Sequence, residues 1–355
     1  MRTLLELRQF NGFPGLTFGA RFTQRIARGP WFVPRGRRDP IRRGASSASD
    51  DSAVEWPKIF GAMHESRGAR SGRLTTNEIH TMQIPEALIS KRGTVRSSDG
   101  TALTYICIGS GTPLVVCHGA FSVAQDWVPF AERIGPKHSV FLYDRRGRGQ
   151  SPHAGPRFAI DAEVHDLAAM VELAGRETAV LGHSFGGGCA LSFAARAKFS
   201  GSLIVYEPRH SVLEPVSKGQ INEIERLIAE GDKDTAAQFV MRHVIGMPAQ
   251  AVVGLRGSPL WDTVCRTVDA FPNELRFLDS LTWRSGDLDG IATSPTLLVG
   301  EQSPVLPDEI SADLALRSLL PSMRTVSIPG QGHFAFLSDP ALLADIVSKC
   351  LGSPA

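Results

Sequence analysis

The sequence has few features of disulfide-rich, metal-binding or membrane-spanning proteins. Its five cysteines are odd in number, widely spaced and without a CxxC pair, so neither a disulfide framework nor a zinc site is expected. No apolar run approaches the roughly 18 residues needed to cross a membrane. We interpret the cysteines as small buried side chains of a protein in a reducing compartment, which favours a cytoplasmic location.

Strong net charge and nucleotide-binding motifs are also missing. A net charge of +2 over 355 residues gives no reason to expect a nucleic-acid partner. The glycine-rich stretch 182–188 is centred on a serine and does not match GxGxxG, and there is no phosphate loop. The sequence therefore predicts a protein that needs no cofactor and no metal, with a small molecule as its partner and no membrane contact. With 42% hydrophobic residues, the chain can bury a sizeable core.

Arginine is concentrated near the start of the chain. Residues 1–49 contain ten arginines but only two acidic residues, Glu6 and Asp39. This composition is typical of an organelle transit peptide, which would imply import in a eukaryote. Two other interpretations stay open: a disordered or partly helical extension, and a start codon placed too early, with Met63 or Met82 as the true start. We treat residues 1–80 as a separate extension, for which an interaction role is a further hypothesis.

From about residue 90, short apolar runs alternate with patterns of helical spacing. Such alternation is typical of a parallel sheet covered by helices on both faces. We predict an α/β core over residues 90–209 and 291–352, interrupted by a helical cap over residues 210–290. The predicted strands are 93–96, 101–108, 113–117, 139–143, 178–181, 202–206, 296–299 and 325–328. The predicted helices are 126–134, 160–174, 186–197, 310–320 and 341–350 in the core and 221–229, 235–244, 261–270 and 273–281 in the cap.

The strongest chemical signal is the segment Gly182-His183-Ser184-Phe185-Gly186. It fits GxSxG directly after a predicted strand and directly before a predicted helix. A sharp strand-to-helix turn exposes the central side chain, and the helix N-terminus beneath it favours negative charge. This context predicts that Ser184 is a nucleophile.

A serine hydroxyl needs a base, and an oxyanion needs hydrogen-bond donors. The predicted base is His333, on a glycine-rich loop after the last predicted strand, where it can face the same edge of the sheet as Ser184. The predicted donors are the backbone N–H groups of Phe185, which follows the nucleophile, and of Ala120, in the loop after strand 113–117.

The segments CHGAF, YDRRGRGQS, GHSFGG, YEP and PGQGH, in this order, resemble the α/β-hydrolase superfamily, and in particular its bacterial esterase and haloperoxidase-like branch with a helical cap. The resemblance covers about residues 90–352. It implies an eight-stranded, mostly parallel sheet with a lid inserted after the sixth strand. It also implies that the loop 143–151 is structural, with its Asp and Arg side chains bracing the loops on the oxyanion side.

The sequence departs from the family pattern at the triad acid. The family usually carries an Asp in a Gly-x-x-Asp arrangement after the seventh strand, where this chain has Gly300-Glu301-Gln302-Ser303. Glu207, after the sixth strand, is favoured, because a lactonase branch resembles this arrangement. Glu301 and Asp308 remain alternatives, as does the absence of any acid. The acid would fix the imidazole tautomer and stabilise the imidazolium.

A serine nucleophile predicts acyl transfer and argues against the dehalogenase and epoxide hydrolase chemistries of this fold, which use Asp at the elbow. We expect hydrolysis of a small, fairly hydrophobic ester or lactone through an acyl-enzyme. A carbon–carbon bond hydrolase of aromatic degradation is the alternative enzyme, and a non-catalytic ligand-binding member of the fold is the alternative outside enzymes. Trp261, Phe271, Phe277 and Trp283 of the cap are candidates to line the pocket.

Overall fold

The computed structural model describes residues 86–352 except 153–158, 160, 259 and 304–306. The basic N-terminal arm, and with it the interpretations of residues 1–80, lies outside the described residues. Among the residues that are described, no helix has the length and apolar character required to span a membrane.

A single sheet organises the described chain. Its strands are β1 (Ile89–Arg96), β2 (Ala102–Ile108), β3 (Thr112–Cys117), β4 (His138–Tyr143), β5 (Ala179–His183), β6 (Leu203–Tyr206), β7 (Thr296–Gly300) and β8 (Arg324–Ile328). They lie in the order β1-β2-β4-β3-β5-β6-β7-β8. The pairs β1–β2 and β2–β4 are antiparallel, and the other five pairs are parallel. The predicted eight-stranded, mostly parallel sheet is confirmed.

Eleven α-helices accompany the sheet in the described residues. Those before and after the insertion are α1 (Val128–Ile134), α2 (Ala162–Ala174), α3 (Phe185–Ala197), α9 (Pro307–Leu319), α10 (Ala335–Ser338) and α11 (Pro340–Gly352). Between β6 and β7 lie α4 (Ile221–Ala229), α5 (Lys233–His243), α6 (Ala249–Arg256), α7 (Leu260–Thr267) and α8 (Phe271–Ser280). Helix α6 is an element that the apolar spacing did not predict, and only Val252 and Leu255 of its eight residues are buried.

Two apolar layers, one on each face of the sheet, form the core. One layer joins β3 and β5 to α2 and α3 through side chains such as Val115, Val180 and Leu191. The other joins the opposite face to α1 and α11 through side chains such as Leu114 and Val347. The central strands are continuous apolar runs because both of their faces are covered. All four residues of β6 are buried, whereas the edge strand β1 has exposed side chains along most of its length.

The helices between β6 and β7 bury two apolar clusters of their own. The first contains Ile224, Val240 and Leu275, and partly buried Ala120 and Phe121 of the loop after β3 pack against it. The second contains Met241 and other side chains of α5, α6 and α7. The first cluster brings the inserted helices to the loop that was predicted to carry an oxyanion donor.

Candidate active site

Ser184 lies between the end of β5 and the start of α3, in a strained backbone conformation. Its φ is 53° and its ψ is −115°, a left-handed value that costs a non-glycine residue free energy and is found mainly at functional turns. The turn also brings backbones together closely. A Cβ atom at Gly186 would lie 2.0 Å from the carbonyl oxygen of Cys117, so the second glycine of GxSxG is required for β3 and α3 to pass each other.

The surroundings of Ser184 favour an anion. The residue is 8% exposed, and Phe185 is the first residue of α3, whose first four N–H groups have no acceptor within the helix. The loop after β3 reaches the same point, since a Cβ atom at Gly119 would lie 3.1 Å from Cβ of Ser184. Ala120 follows Gly119, so both predicted oxyanion donors lie in segments that border the nucleophile.

His333 lies in the loop between β8 and α10, paired with a carboxylate. Its Nδ1–H donates to Oε2 of Glu207 at 2.5 Å, and the two side chains are 22% and 16% exposed. Two further hydrogen bonds hold the main chain of the loop that carries His333. Nε2 of His183 donates to the carbonyl oxygen of His333 at 2.9 Å, and the hydroxyl of Tyr206 donates to the carbonyl oxygen of Gly332. The imidazole is therefore fixed through both its ring and its main chain.

The register of the sheet explains how Glu207 comes to lie beside the elbow. His183 of β5 is opposite Tyr206 of β6, so Ser184 and Glu207 are the residues that follow at neighbouring strand ends. Glu207 has a φ of 43°, another left-handed value that redirects the chain at this point. Its N–H donates to the carbonyl oxygen of Leu298 at 3.1 Å.

Hydrogen bonding keeps Glu207 ionised. Burial would raise the pKa of this carboxyl group, but hydrogen bonds from His333, Ser303 and the backbone of Gly300, with the charge of His333, hold the pKa below its ordinary value of 4.5. An ionised carboxylate at this place can fix the Nδ1–H tautomer of His333.

Of the two other carboxylates considered from the sequence, that of Glu301 does not share this position. The Glu301 carboxylate accepts hydrogen bonds from the Ser327 hydroxyl at 3.3 Å and the Gly330 N–H at 3.0 Å, so it fastens the turn that precedes His333. Asp308 lies in the first turn of α9, and its side chain lies outside the described residues. Glu207 is the one of the three that the structure brings to Nδ1 of His333.

Sequence reasoning missed the supporting residues His183, Tyr206 and Ser303. His183 was given no role from the sequence, and the structure shows it 2% exposed, with its ring hydrogen-bonded to the main chain of His333. Burial lowers the pKa of His183 far below its ordinary value, and His333 lowers it further, so this imidazole is a neutral donor. Its place directly before the nucleophile was the available signal, whereas no local pattern pointed to Ser303.

The loop after β4 supports the oxyanion side, as the family resemblance implied. Oδ1 of Asp144 accepts a hydrogen bond from the Ala124 N–H at 3.0 Å. The Arg145 guanidinium donates to the carbonyl oxygen of Gly119 at 3.3 Å and stacks over the ring of Phe185 at 4.3 Å. Arg145 therefore contacts both segments that carry the predicted donors.

Arg145 also belongs to a buried ionic cluster that reaches the inserted helices. The cluster consists of Arg145, Arg148, Glu163 of α2 and Glu274 of α8, with side chains between 0% and 4% exposed. Arg145 pairs with Glu163 at 2.9 Å and with Glu274, and Arg148 pairs with Glu274 at 2.6 Å. Opposite charges face each other in this cluster, which lowers the cost of burying them, while burial raises the pKa of Glu163 to about 7.

The four aromatic residues predicted to line a pocket are divided between two regions. Phe271 stacks on Phe121 with ring centroids 4.7 Å apart, and Phe277 lies 5.4 Å from the ring of Phe185. These two rings border the oxyanion loops. The other two do not: the indole N–H of Trp261 donates to Asp234 within the insertion, and Trp283 packs against His210.

Comparisons with known proteins agree with this architecture. A family model described as the alpha/beta hydrolase family matches residues 114–346. The chain is 37% identical to a non-heme haloperoxidase of Rhodococcus erythropolis over 106 residues, which is 29% of this chain and 38% of that protein. It is 36% identical to a non-heme chloroperoxidase of Streptomyces lividans over 110 residues, 30% of this chain and 40% of that one.

These matches span about two fifths of the curated relatives' own length. Agreement over a longer stretch comes from a crystal structure of an α/β hydrolase from Sphaerobacter thermophilus. That structure has a TM-score of 0.65 and 30% identity over 73% of this chain and 99% of its own. With a family model matching well over half of its length, the chain belongs to the α/β hydrolase family.

Proposed function

We propose that the protein is a serine hydrolase that cleaves a small, apolar carboxylic ester or lactone through an acyl-enzyme on Ser184. The observation that carries the proposal is the 2.5 Å hydrogen bond between His333 and Glu207, beside a serine at a strained strand-to-helix turn. A nucleophile, a base and an acid that orients the base are the three parts that acyl transfer requires.

In the proposed reaction, the Ser184 hydroxyl attacks the carbonyl carbon and its proton passes to Nε2 of His333. Nδ1 is engaged by Glu207, so Nε2 is the nitrogen that takes part in the transfer. Glu207 stabilises the imidazolium that forms, without itself accepting the proton. The N–H groups of Phe185 and Ala120 bind the oxyanion of the tetrahedral intermediate.

The intermediate collapses as the His333 proton passes to the leaving alkoxide oxygen, and an acyl-enzyme remains. A water molecule then attacks the acyl carbon, with His333 taking its proton, and the carboxylic acid leaves as the Ser184 hydroxyl is restored. For a lactone the alkoxide stays attached to the acyl group, so the product is a single hydroxy acid.

The preference for an apolar acyl group follows from the side chains near the elbow. Phe121 and Ala120 pack against the first apolar cluster of the inserted helices, which includes Phe271. The inserted helices are proposed to act as a cap that excludes water from the acyl-enzyme. The pairing of Glu207 with His333 supports a catalytic protein over a ligand-binding member of the fold.

The test measures hydrolysis of p-nitrophenyl esters of increasing chain length, and of simple lactones, by the wild type, Ser184→Ala and His333→Ala. We expect both variants to lose turnover and a fluorophosphonate probe to label the wild type but not Ser184→Ala. His243→Ala is the matched control, because His243 stacks on Phe239 within the insertion and should leave turnover unchanged. Wild-type turnover by Ser184→Ala would contradict the proposal.

A further inference from the structure

The carboxylate of Glu207 is held at both oxygens, and only one of them serves His333. Oε2 accepts the hydrogen bond from His333. Oε1 accepts two hydrogen bonds from the segment after β7: one from the Gly300 N–H at 2.8 Å and one from the Ser303 hydroxyl at 2.5 Å. The orientation of the acid is therefore set by a strand end other than its own.

This second anchor is needed because the Glu207 side chain has rotatable bonds that its own backbone does not fix. A glutamate ends in a broad torsion, so a carboxylate bound at one oxygen alone could turn away from the imidazole. The two donors on Oε1 remove that freedom. Both belong to one turn, since the Ser303 N–H donates to the carbonyl oxygen of Gly300 at 3.1 Å.

Of the two donors, only Ser303 contributes a side chain. Its hydroxyl is partly buried beside the carboxylate, and a hydrogen bond to a charged group is about twice as strong as one between neutral groups. The Ser303 contact also helps to hold the pKa of Glu207 below its ordinary value. Sequence reasoning had counted Ser303 only as a missing acid.

We propose that Ser303 is a positioning residue, whose hydroxyl aims Glu207 at Nδ1 of His333 and so sets the turnover rate without touching the substrate. The proposal rests on the proposed function, in which the Glu207–His333 pair activates Ser184. Ser303, which follows β7, would thus support Glu207, the acid that follows β6.

The first test is the full chain carrying Ser303→Ala, assayed on the p-nitrophenyl ester that the wild type turns over fastest. We expect kcat to fall about 10-fold, the loss typical of one hydrogen bond to a charged group, with KM unchanged because Ser303 does not meet the substrate. Ser303→Thr keeps the hydroxyl and should restore kcat to within about threefold. Ser318→Ala is the matched control, because it removes an exposed hydroxyl of α9 that donates to the carbonyl oxygen of Leu314.

The second test separates positioning from general support of the fold by a double-mutant cycle. If Ser303 acts through Glu207, adding Ser303→Ala to Glu207→Gln should lower kcat no further. A full additional 10-fold loss in that background would overturn the proposal, as would an unchanged kcat in Ser303→Ala when Ser184→Ala is inactive. Turnover that survives Ser184→Ala would instead overturn the proposed function.

A third readout does not depend on turnover. The Nδ1 proton of His333, shared with a carboxylate, should give a downfield proton resonance that is absent in His333→Ala. We expect it to weaken or move upfield in Ser303→Ala and to be retained in Ser303→Thr and Ser318→Ala. The same resonance in Ser303→Ala as in the wild type would show that Glu207 needs no hydroxyl to reach His333.

Discussion

Two groups of ionisable side chains lie near Ser184, and they differ in exposure and in the elements that they connect. The side chains of His333 and Glu207 are 22% and 16% exposed, and the pair joins the residue after β6 to the loop after β8, with β7 between the two strands. The cluster of Arg145, Arg148, Glu163 and Glu274 is at most 4% exposed and joins the loop after β4 to α2 and α8. The pair is open enough to exchange a proton with a substrate, whereas the cluster is closed to water.

The difference in exposure indicates that the pair serves the reaction and that the cluster holds the fold together. Charges that are fully buried must keep their partners, because an unpaired buried charge is costly, so they fix the positions of the elements that carry them. A partly exposed pair contributes less to stability and is free to change its protonation during a reaction. We therefore expect changes at the pair to affect the rate and changes at the cluster to affect folding.

The largest effect is expected at the nucleophile itself. Ser184→Ala removes the atom that forms the acyl-enzyme, so kcat for ester hydrolysis should fall by about 10⁴-fold to 10⁶-fold. The fold should persist, because the small side chain contributes little packing. The measurements are turnover and the circular dichroism spectrum. Loss of both would mean that Ser184 is required for the fold and not only for the reaction.

The next effect is expected at the acid. Glu207→Gln leaves the shape of the side chain intact but removes the charge that stabilises the imidazolium, so kcat should fall by about 10²-fold to 10⁴-fold. Glu301→Gln is the comparison, since the Glu301 carboxylate holds the turn before His333 through Ser327 and Gly330, and its kcat should fall less than that of Glu207→Gln. If Glu301→Gln is the slower variant, the acid has been assigned to the wrong strand end.

A substitution in the buried cluster should lower the stability of the fold, whereas the two preceding substitutions lower the rate. Glu274→Gln leaves Arg145 and Arg148 without their shared carboxylate charge, and breaking a buried pair costs about 3–5 kcal/mol of unfolding free energy. Urea denaturation followed by fluorescence measures this loss. Glu230→Gln breaks an exposed pair with Arg226 and should leave the midpoint unchanged. Equal urea midpoints for Glu274→Gln and Glu230→Gln would mean that the buried cluster stabilises the fold no more than an exposed ion pair does.

The smallest effect is expected in the unfolding free energy at acid pH, where Glu207 of the Glu207–His333 pair loses its charge. The folded-state pKa of Glu207 lies below its ordinary value, so the unfolded chain binds more protons than the folded chain in the window just below about pH 4.5. The stability that Glu207 contributes is therefore present above that pH and is lost as the pH falls through the folded-state pKa. Between about pH 5 and pH 3, the unfolding free energy of Glu207→Gln should fall less steeply than that of the wild type. If the unfolding free energies of the wild type and of Glu207→Gln fall in parallel, the neighbours of Glu207 do not stabilise its ionised carboxylate.

Some of the fold could be predicted because its signals are local. The alternation of apolar runs and helical spacing predicted the α/β sheet, and the structure and the family comparison confirm it. Helix α6 was missed because eight residues are too few for apolar spacing to show a period, and because Gly254 within it disfavours a helix. The ends of most strands were displaced by a residue or two, as at β7, which extends to Gly300, but β1 begins at Ile89, four residues before its predicted start.

The sequence by itself determined that a serine follows β5 and precedes α3, and that a histidine follows β8, because each lies in a short motif that depends on neighbouring residues. It left three carboxylates open for the acid. Only the tertiary structure paired Glu207 with His333, and only it brought Ser303 to Glu207 and Glu274 to Arg145, which are 96 and 129 positions apart. The physical reason is that a hydrogen bond is directional and acts over about 3 Å, so partners this distant in the chain are selected by strand order and register, which no local pattern encodes.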